Sequence, residues 1–515
     1  MGNQQKKSRW KIIAGVILIL QLLFGIVTVG ILVWLNLLPA IYLALTALIL
    51  LFLLTVVYYF FYSGVKNKKG KLTAQKKKRR IYWKRSIGCF LSALTVAFCS
   101  LSSVMLMQAG DTLNQITNQV VVTDTVSVYV LKDNPAVSVA DAADYVFATA
   151  EKYDPEHTKK TVAQIEDVCG KTIQTQSFDD MLKMVDALYA ETVDAIILNV
   201  AYVDAIEAQD EYGTFSQKTK TLYDHEVESV ITGNETEEKS ITEDPFVVYL
   251  SGSDTRNYKL STSRSDVNIL VVVNPSTKQV LMINTPRDYY VDISICPGAK
   301  DKLTHCGMYG IDCSMDTLSN FYDEPVDYYA QINFSGFETL VDAVGGITVE
   351  SEKSFYCSEG GYYIAKGTNQ LNGTVALSYV RERKSFADGD NARGRHQMQA
   401  IEAIIEKVSS GTTVLSRYSE ILDSMEGMFS TDMSSEDIAS LVRMQLSEPA
   451  SWNVKSFAVT GKGGSQTTYS IPSKRSYVMY PDETQIAYAK LLIDKVKDGV
   501  ILTEEDMVVP SDITE

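Results

Sequence analysis

Three long apolar runs open the chain, Ile12–Leu35, Pro39–Tyr62 and Ile87–Met107, and no ionised side chain interrupts them. At 1.5 Å rise per residue each run reaches across a hydrocarbon core of about 30 Å, so the pattern predicts three transmembrane helices within residues 1–110. The second run follows the first after only Asn36–Leu38, which argues for a hairpin of spans and against a cleaved leader.

Beyond residue 110 the period shortens. Val120–Leu131 has the β-branched content of a strand, and Val139–Tyr153 has helical spacing. Phe178–Ile206 then reads as helix, turn, a buried strand over Ala195–Val200, and helix. This alternation predicts a small α/β accessory domain at 111–232, in which no polar constellation points to a ligand. Residues 233–244 lie in a polar, acidic linker.

A second α/β domain is expected over 245–500. Pro245–Asp254, Val267–Asn274 and Gln279–Thr285 read as strands, the last two joined by a turn at Pro275–Lys278. Helices over Cys313–Tyr322 and Ser335–Val344 flank a strand, another strand restarts at Gly345, and a long helix runs from about Asn391 to Ser409. The expected core is a central mixed sheet. The segment 501–515 is acidic and reads as a frayed tail.

Charge sets an orientation. The net charge is −15, yet 15 of the 48 Lys and Arg lie in residues 1–110, where there is no Asp or Glu, leaving 33 against all 63 acidic residues. The basic residues precede the first span and fill the loop 63–86, which predicts a cytoplasmic N-terminus and residues 108–515 outside. Of seven cysteines, Cys89 and Cys99 fall in the third run; the other five are an odd number and no disulfide framework. His305, Cys306 and Cys313 lack the paired spacing of a zinc site.

Polar outliers gather where strands end, the usual place for ligands in an open α/β sheet: Asp254, Arg264, Asp266, Arg287 and Asp288. They could form a salt-bridge network at the sheet rim, or hold a hard cation and phosphate oxygens. The stretch "RERKSFADGDNARGRHQ" (Arg381–Gln397) adds four arginines. Arg381 and Arg383 are read as extended, with both side chains on one side. In the following helix Ile401, Ile404, Ile405 and Val408 mark the buried face, and stepping back by fours from Ile401 puts Gln397 and Arg393 on it. An inward arginine near a helix N-terminus needs a partner or an anionic ligand. Asp390 is placed to cap the helix; Lys384, Arg395 and His396 are read as surface.

The ordered blocks "GSDTR", "RSDVNILVVVNPSTK", "TPRDYYV", "DKLTHCGMYG", "VDYYAQINFSGFETLVDAVGGITV", "LNGTVALSYVRER" and "GDNARGRHQ" resemble the LytR-CpsA-Psr family of Gram-positive cell-envelope proteins over Phe246–Ser410. The three spans and accessory domain resemble its CpsA-like, capsule-associated branch. The resemblance implies a membrane-anchored phosphotransferase that moves a glycopolymer, capsular or teichoic-acid-like, from undecaprenyl pyrophosphate to peptidoglycan. It implies Mg²⁺, or Mn²⁺ in its place, on Asp254 and Asp266. It puts Asp266, Arg287, Arg381 and Arg383 at the catalytic centre, and Arg264, Arg287, Lys302, Arg381, Arg383, Arg393 and Gln397 around the pyrophosphate, with Asp288 and Asp390 in support. The general base stays open among Asp254, Asp266, Asp288 and metal-associated solvent. Met398 stands where the family commonly has a second glutamine. The apolar strands Asn268–Val273 and Val280–Ile283 are candidates to line a polyprenyl tunnel, or are ordinary buried strands.

The implied partners are the lipid-linked glycopolymer, peptidoglycan, the bilayer and capsule-assembly membrane proteins, and not nucleic acid. Two other functions fit the same sequence: a membrane regulator of capsule biosynthesis acting through the basic loop, and a pyrophosphatase using water as acceptor.

Overall fold

The structure is a computed structural model that describes residues 2–63, 73–117, 120–231, 239–255, 260–409, 421, 425 and 427–510. It divides into two compact units: Met1–Asn114 with Ser435–Pro449, and Gln115–Ser434 with Ala450–Glu515.

In the first unit the apolar runs form helices α1 (Gly2–Leu35), α2 (Ala40–Tyr62) and α3 (Ala74–Thr117). All three are long and apolar enough to cross a membrane. The third begins earlier and ends later than the apolar run, because the Lys and Arg residues of 76–85 are good helix formers and no Pro breaks it, Gly88 and Gly110 being carried within the helix. Only part of the expected loop is therefore loop, and 64–72 of it lie outside the described residues. Thr28 Oγ1 meets Ser103 Oγ at 3.1 Å, a polar contact between α1 and α3. The helix Ser435–Ser447 belongs to the same unit.

The second unit holds both α/β domains. In the accessory domain, β1 (Val120–Leu131), β2 (Val146–Thr149), β3 (Gln174–Ser177), β4 (Ala195–Asn199) and β5 (Thr219–Ile231) form a sheet of order β3-β2-β4-β1-β5. Strands β2, β3 and β4 are parallel, and β1 runs antiparallel to β4 and β5. Helix α4 (Pro155–Cys169) starts on Asp154, whose carboxylate accepts from His157 N, and ends on Gly170 at φ 66°. Helix α5 (Met181–Tyr189) starts on Asp180. One element departs from the sequence reading. Val139–Tyr153 is no helix: a single 3₁₀ turn at Val139–Ala142 leads into β2. Aromatic and β-branched residues over Tyr145–Thr149 favour the strand, and Phe147 and Ala148 are fully buried in it.

The larger domain is built on β6 (Phe246–Ser253), β7 (Ser265–Asn274) and β8 (Gln279–Asn284), an antiparallel run. The turn between β7 and β8 is fixed locally, with Thr277 N donating to Asn274 Oδ1 and Lys278 at φ 54°. Helix α6 (Ile311–Tyr322), β9 (Tyr328–Asn333), α7 (Phe334–Ala343), α8 (Gly373–Arg381), α9 (Asp390–Ser409), β10 (Phe429–Thr431), β11 (Asn453–Ala458) and α10 (Glu483–Lys497) follow. The sheet order is β10-β9-β6-β7-β8-β11, with β9 parallel to β6 and β11 parallel to β8. The strand after Gly345, Ile347–Ser351, pairs outside this sheet with Gly367–Leu371.

Alternation along the strands decides what each face packs against. Val247 and Tyr249 of β6 and Tyr329 of β9 point into a core shared with α6 and α10. Leu250 and Gly252, with Ala330 and Ile332, point the other way, toward α7, α8 and α9. The expected frayed tail is packed as far as its described residues go: Leu502 is buried and Lys495 pairs with Asp506 at 2.8 Å.

Candidate functional site

The antiparallel run brings the sequence-distant polar residues to one sheet edge. Ser253 pairs with Ser265 and Ile269 with Asn284, so the end of β6, the start of β7 and the end of β8 coincide. Asp254, Arg264, Asp266, Arg287 and Asp288 therefore converge. The N-terminus of α9 closes on the same edge because Gly394 lies against Asn284, where a Cβ would come within 2.3 Å of Nδ2.

The groups form a chain of ion pairs. Arg264 NH2 reaches Asp254 Oδ2 at 2.9 Å, Arg287 NH1 reaches Asp266 Oδ1 at 2.8 Å, and Arg393 NH2 reaches Asp390 Oδ1 at 2.9 Å. Lys302 pairs with Asp288 at 3.1 Å. At the other side of the site Arg381 pairs with Glu359 and lies over the Phe334 ring at 4.3 Å. Each cation in the site except Arg383 thus has a carboxylate partner, and the cluster is not the surplus of positive charge that its arginine count promised. What separates it from a structural network is the unspent donors. Arg264, Arg287 and Arg393 each bury an Nε that makes no hydrogen bond to a described residue, the oxygens of Asp288 and Asp390 lying 3.8 and 3.9 Å from that of Arg287. Three such N–H groups at one sheet edge call for acceptors from a ligand.

Burial and carboxylate spacing split the two central acids. Burial alone would raise the Asp266 carboxyl, but the guanidiniums of Arg287, Arg393 and Arg264 hold it down at about 2. Burial, then repulsion from Asp266, pushes Asp254 up. Arg264 occupies Asp254 Oδ2, and Arg287 and Thr304 occupy Asp266 Oδ1, at 2.8 and 3.2 Å for the latter pair. Among the described residues, one oxygen of each carboxylate is left without a hydrogen bond. That donor set suits a hard cation that takes its remaining ligands from phosphate and water. Among the described residues no cluster of three or more His, Cys, Asp or Glu is placed to hold a metal by itself, and all seven cysteines are free.

Beside the ion pairs opens a cavity of about 290 Å³ between the sheet and helices α7, α8 and α9. Its walls are apolar, with Phe337, Leu340, Leu377, Ile401 and Ile404 among them, while Asp266, Arg381, Arg383, Arg393 and Gln397 also line it. Strand residues 268–273 and 280–283 do not line it. Leu270, Val272, Leu281 and Ile283 are buried in the core on the opposite face.

Several sequence-stated placements hold. Arg393 and Gln397 are buried and face inward, and Arg395 is a surface residue paired with Asp388 at 2.7 Å. Others are corrected. Arg381 is not in an extended segment but ends α8, whose start is fixed by Asn372 accepting from Val375 N; Glu382 is extended, and turns over 384–389 follow Arg383. Asp390 is the first residue of α9, and its carboxylate binds Arg393 instead of a backbone N–H. His396 is buried, not surface: it stacks on Tyr379 at 4.2 Å with Nδ1 3.2 Å from Tyr379 O, and burial drives its pKa down to about 4. Reading the sequence missed Thr304, Glu359 and Asp204, an accessory-domain residue 3.0 Å from Arg264. No local signal marks these, because each meets its partner across a long stretch of chain.

Fold and site together define a class: an α/β protein with three membrane-spanning-length helices and an arginine–aspartate cluster beside an apolar slot. The family profile described as the LytR_cpsA_psr family matches residues 209–486, and the chain belongs to that family. It is similar to the polyisoprenyl-teichoic acid–peptidoglycan teichoic acid transferase TagU of Enterococcus faecalis, 40% identical over 197 residues, 38% of this chain and 64% of that protein. The same-named protein of Bacillus subtilis is 36% identical over 196 residues, 38% of this chain and 62% of its own. The chain thus spans a little under two thirds of the length of these relatives. Among solved structures, Bacillus subtilis TagV aligns with TM-score 0.43 at 27% identity, covering 50% of this chain and 98% of that one. TagT bound to LI-WTA aligns with TM-score 0.43 at 28% identity, covering 52% and 100%.

Proposed function

We propose that the protein is a membrane-anchored phosphotransferase that moves a glycopolymer from a polyprenyl-pyrophosphate carrier to peptidoglycan. The observation that carries this reading is the pairing of three unspent, buried guanidinium Nε–H groups with an apolar slot at one site. A diphosphate on an isoprenoid has the same two-part chemistry. The names of the similar proteins supply the reaction class: a polyisoprenyl-linked donor and a peptidoglycan acceptor. In this reading the polymer is a capsular or teichoic-acid-like glycopolymer.

In this reading the slot takes the isoprenoid next to the diphosphate, and Arg264, Arg287, Arg393, Arg381 and Arg383 receive its oxygens, with Lys302 and Gln397 beside them. An acceptor hydroxyl oxygen forms a bond to the phosphorus that carries the sugar. The bond from that phosphorus to the bridging oxygen breaks, its electron pair leaving on the polyprenyl phosphate. The hydroxyl proton passes to a carboxylate of the site or to solvent. Negative charge builds on the bridging and equatorial oxygens, where the guanidiniums stabilise it. Asp254 and Asp266 would hold Mg²⁺ or Mn²⁺, which supplies positive charge at the phosphate and offsets the carboxylates that now engage the arginines. Basic residues at the N-terminal ends of α1 and α3, and in the segment that joins α2 to α3, support a cytoplasmic N-terminus and an exoplasmic site, where carrier and acceptor lie.

The test incubates the full chain, in lipid nanodiscs with Mg²⁺, with a polyprenyl-pyrophosphate saccharide and peptidoglycan fragments. Covalent saccharide–glycan product with release of polyprenyl phosphate is expected. Release of free saccharide phosphate alone would identify a hydrolase, and no turnover of the donor would reject the reading.

A further inference from the structure

A second cavity, of about 520 Å³, adjoins the anion site and is walled by both α/β domains. Thr123, Thr125, Asn199, Asp204 and Glu226 line it from the accessory domain; Asp254, Thr255, Ser261, Thr262 and Arg264 line it from the loop between β6 and β7. The two walls are clasped. Buried Asp124 accepts from Thr262 N at 2.7 Å and from Thr262 Oγ1 at 2.8 Å, and Thr123 N donates to Leu260 O at 3.4 Å. Arg264 NH2 bridges Asp204 of one wall and Asp254 of the other, at 3.0 and 2.9 Å. The groups left over are polar. Thr125 and Glu226 face each other across β1 and β5, and their side chains and that of Ser261 line the cavity and hydrogen-bond to no described residue.

The chemistry of this cavity differs from that of the neighbouring slot. Carboxylates outnumber its single guanidinium, so it repels an anion. Its hydroxyls and its unspent carboxylate suit a ligand rich in hydroxyl donors and acceptors, whereas its amide, Asn199, is committed to Asp154 and Ala201 N. Asp254 and Arg264 are common to this cavity and to the anion site, so a ligand here lies against the diphosphate.

We propose that the cavity is a saccharide-binding site completed by the accessory domain, seating sugar hydroxyls on Glu226, Thr125 and Ser261 beside the reacting phosphate. Its place next to the diphosphate rests on the transferase reading above; the binding itself does not. The saccharide has two possible sources, the acceptor glycan and the sugar of the donor.

The test uses the full chain in detergent and two variants, Glu226→Ala and Thr125→Val, with Glu226→Gln as the conservative control. Binding of a β-1,4-linked N-acetyl amino-sugar tetrasaccharide is read by saturation-transfer NMR without any donor, beside binding of a water-soluble polyprenyl-pyrophosphate disaccharide. Loss of one charge-assisted hydrogen bond predicts about tenfold weaker saccharide binding in Glu226→Ala, partly restored in Glu226→Gln, with folding unchanged by circular dichroism. Weakening confined to the tetrasaccharide identifies the acceptor as the source, and weakening confined to the lipid-linked disaccharide identifies the donor sugar; either supports the site. Wild-type affinity of the variants for both overturns it, as does failure of the wild type to bind either sugar. Because the first arm needs no turnover, it decides this site even if transfer is never observed.

Discussion

Arg287 and Asp266 form a buried ion pair, NH1 to Oδ1 at 2.8 Å, while the Nε of the same guanidinium has no acceptor. The arginine is therefore half committed to the fold and half available to a ligand. Removing it strips the buried Asp266 carboxylate of its closest counter-charge and leaves it with Arg393 at 4.0 Å, the more distant Arg264 and the Thr304 hydroxyl. Arg287→Ala should lower unfolding stability by about 3 kcal/mol as well as abolishing turnover. Arg287→Lys should recover part of the stability and little of the activity, since an ammonium cannot present two donors in a fixed plane. Denaturant titration beside a turnover assay separates the effects; an Arg287→Ala protein with wild-type turnover would remove Arg287 from the site.

Helix α9 reaches the sheet edge through Gly394, where a Cβ would collide with the Asn284 side chain. Gly394→Ala should push the helix N-terminus, and Arg393 with it, off the site. We expect a loss of about 1–3 kcal/mol from overpacking and weaker anion binding. The double variant Gly394→Ala, Asn284→Ala should regain stability, and thermal unfolding of both reads the outcome.

His396 gives the fold a pH dependence. Burial holds its folded pKa at about 4, below the unfolded value of about 6.5, so between these values the unfolded chain binds the extra proton. Stability from this residue is full above pH of about 6.5 and falls progressively as pH drops toward about 4, by a total on the order of 3 kcal/mol. His396→Phe, which keeps the stack between Tyr379, Phe355 and Phe386, should flatten that slope. Unfolding midpoints across the window with an unchanged slope in the variant would rule His396 out as the source.

Ile404 and Leu340 line the slot from different helices. Ile404→Trp should fill space that the isoprenoid needs. A long-chain donor should lose at least about tenfold in apparent affinity while a short-chain donor binds as before, measured by competition with a fluorescent polyprenyl phosphate. Equal loss for both chain lengths would mean that the slot does not hold the chain.

Sequence alone determined the parts that repeat or run locally. Three spans follow from length and apolarity, the β7–β8 hairpin from two apolar runs around Pro275–Lys278, and the inward placement of Arg393 and Gln397 from four-residue steps along one helix. These are properties of neighbouring residues, and the backbone geometry of helix and strand translates them directly. Tertiary structure decided the rest. It turned Ala376–Val380 into a helix, buried His396 in an aromatic stack, and made the apolar slot between β6, β9 and helices α7, α8 and α9 instead of from β7 and β8. It also set Asp204 against Arg264 across the domain junction. Each of these depends on which surfaces meet after the chain has folded back, and pairings such as Tyr379 with His396 or Asp204 with Arg264 leave no periodicity in the sequence to read.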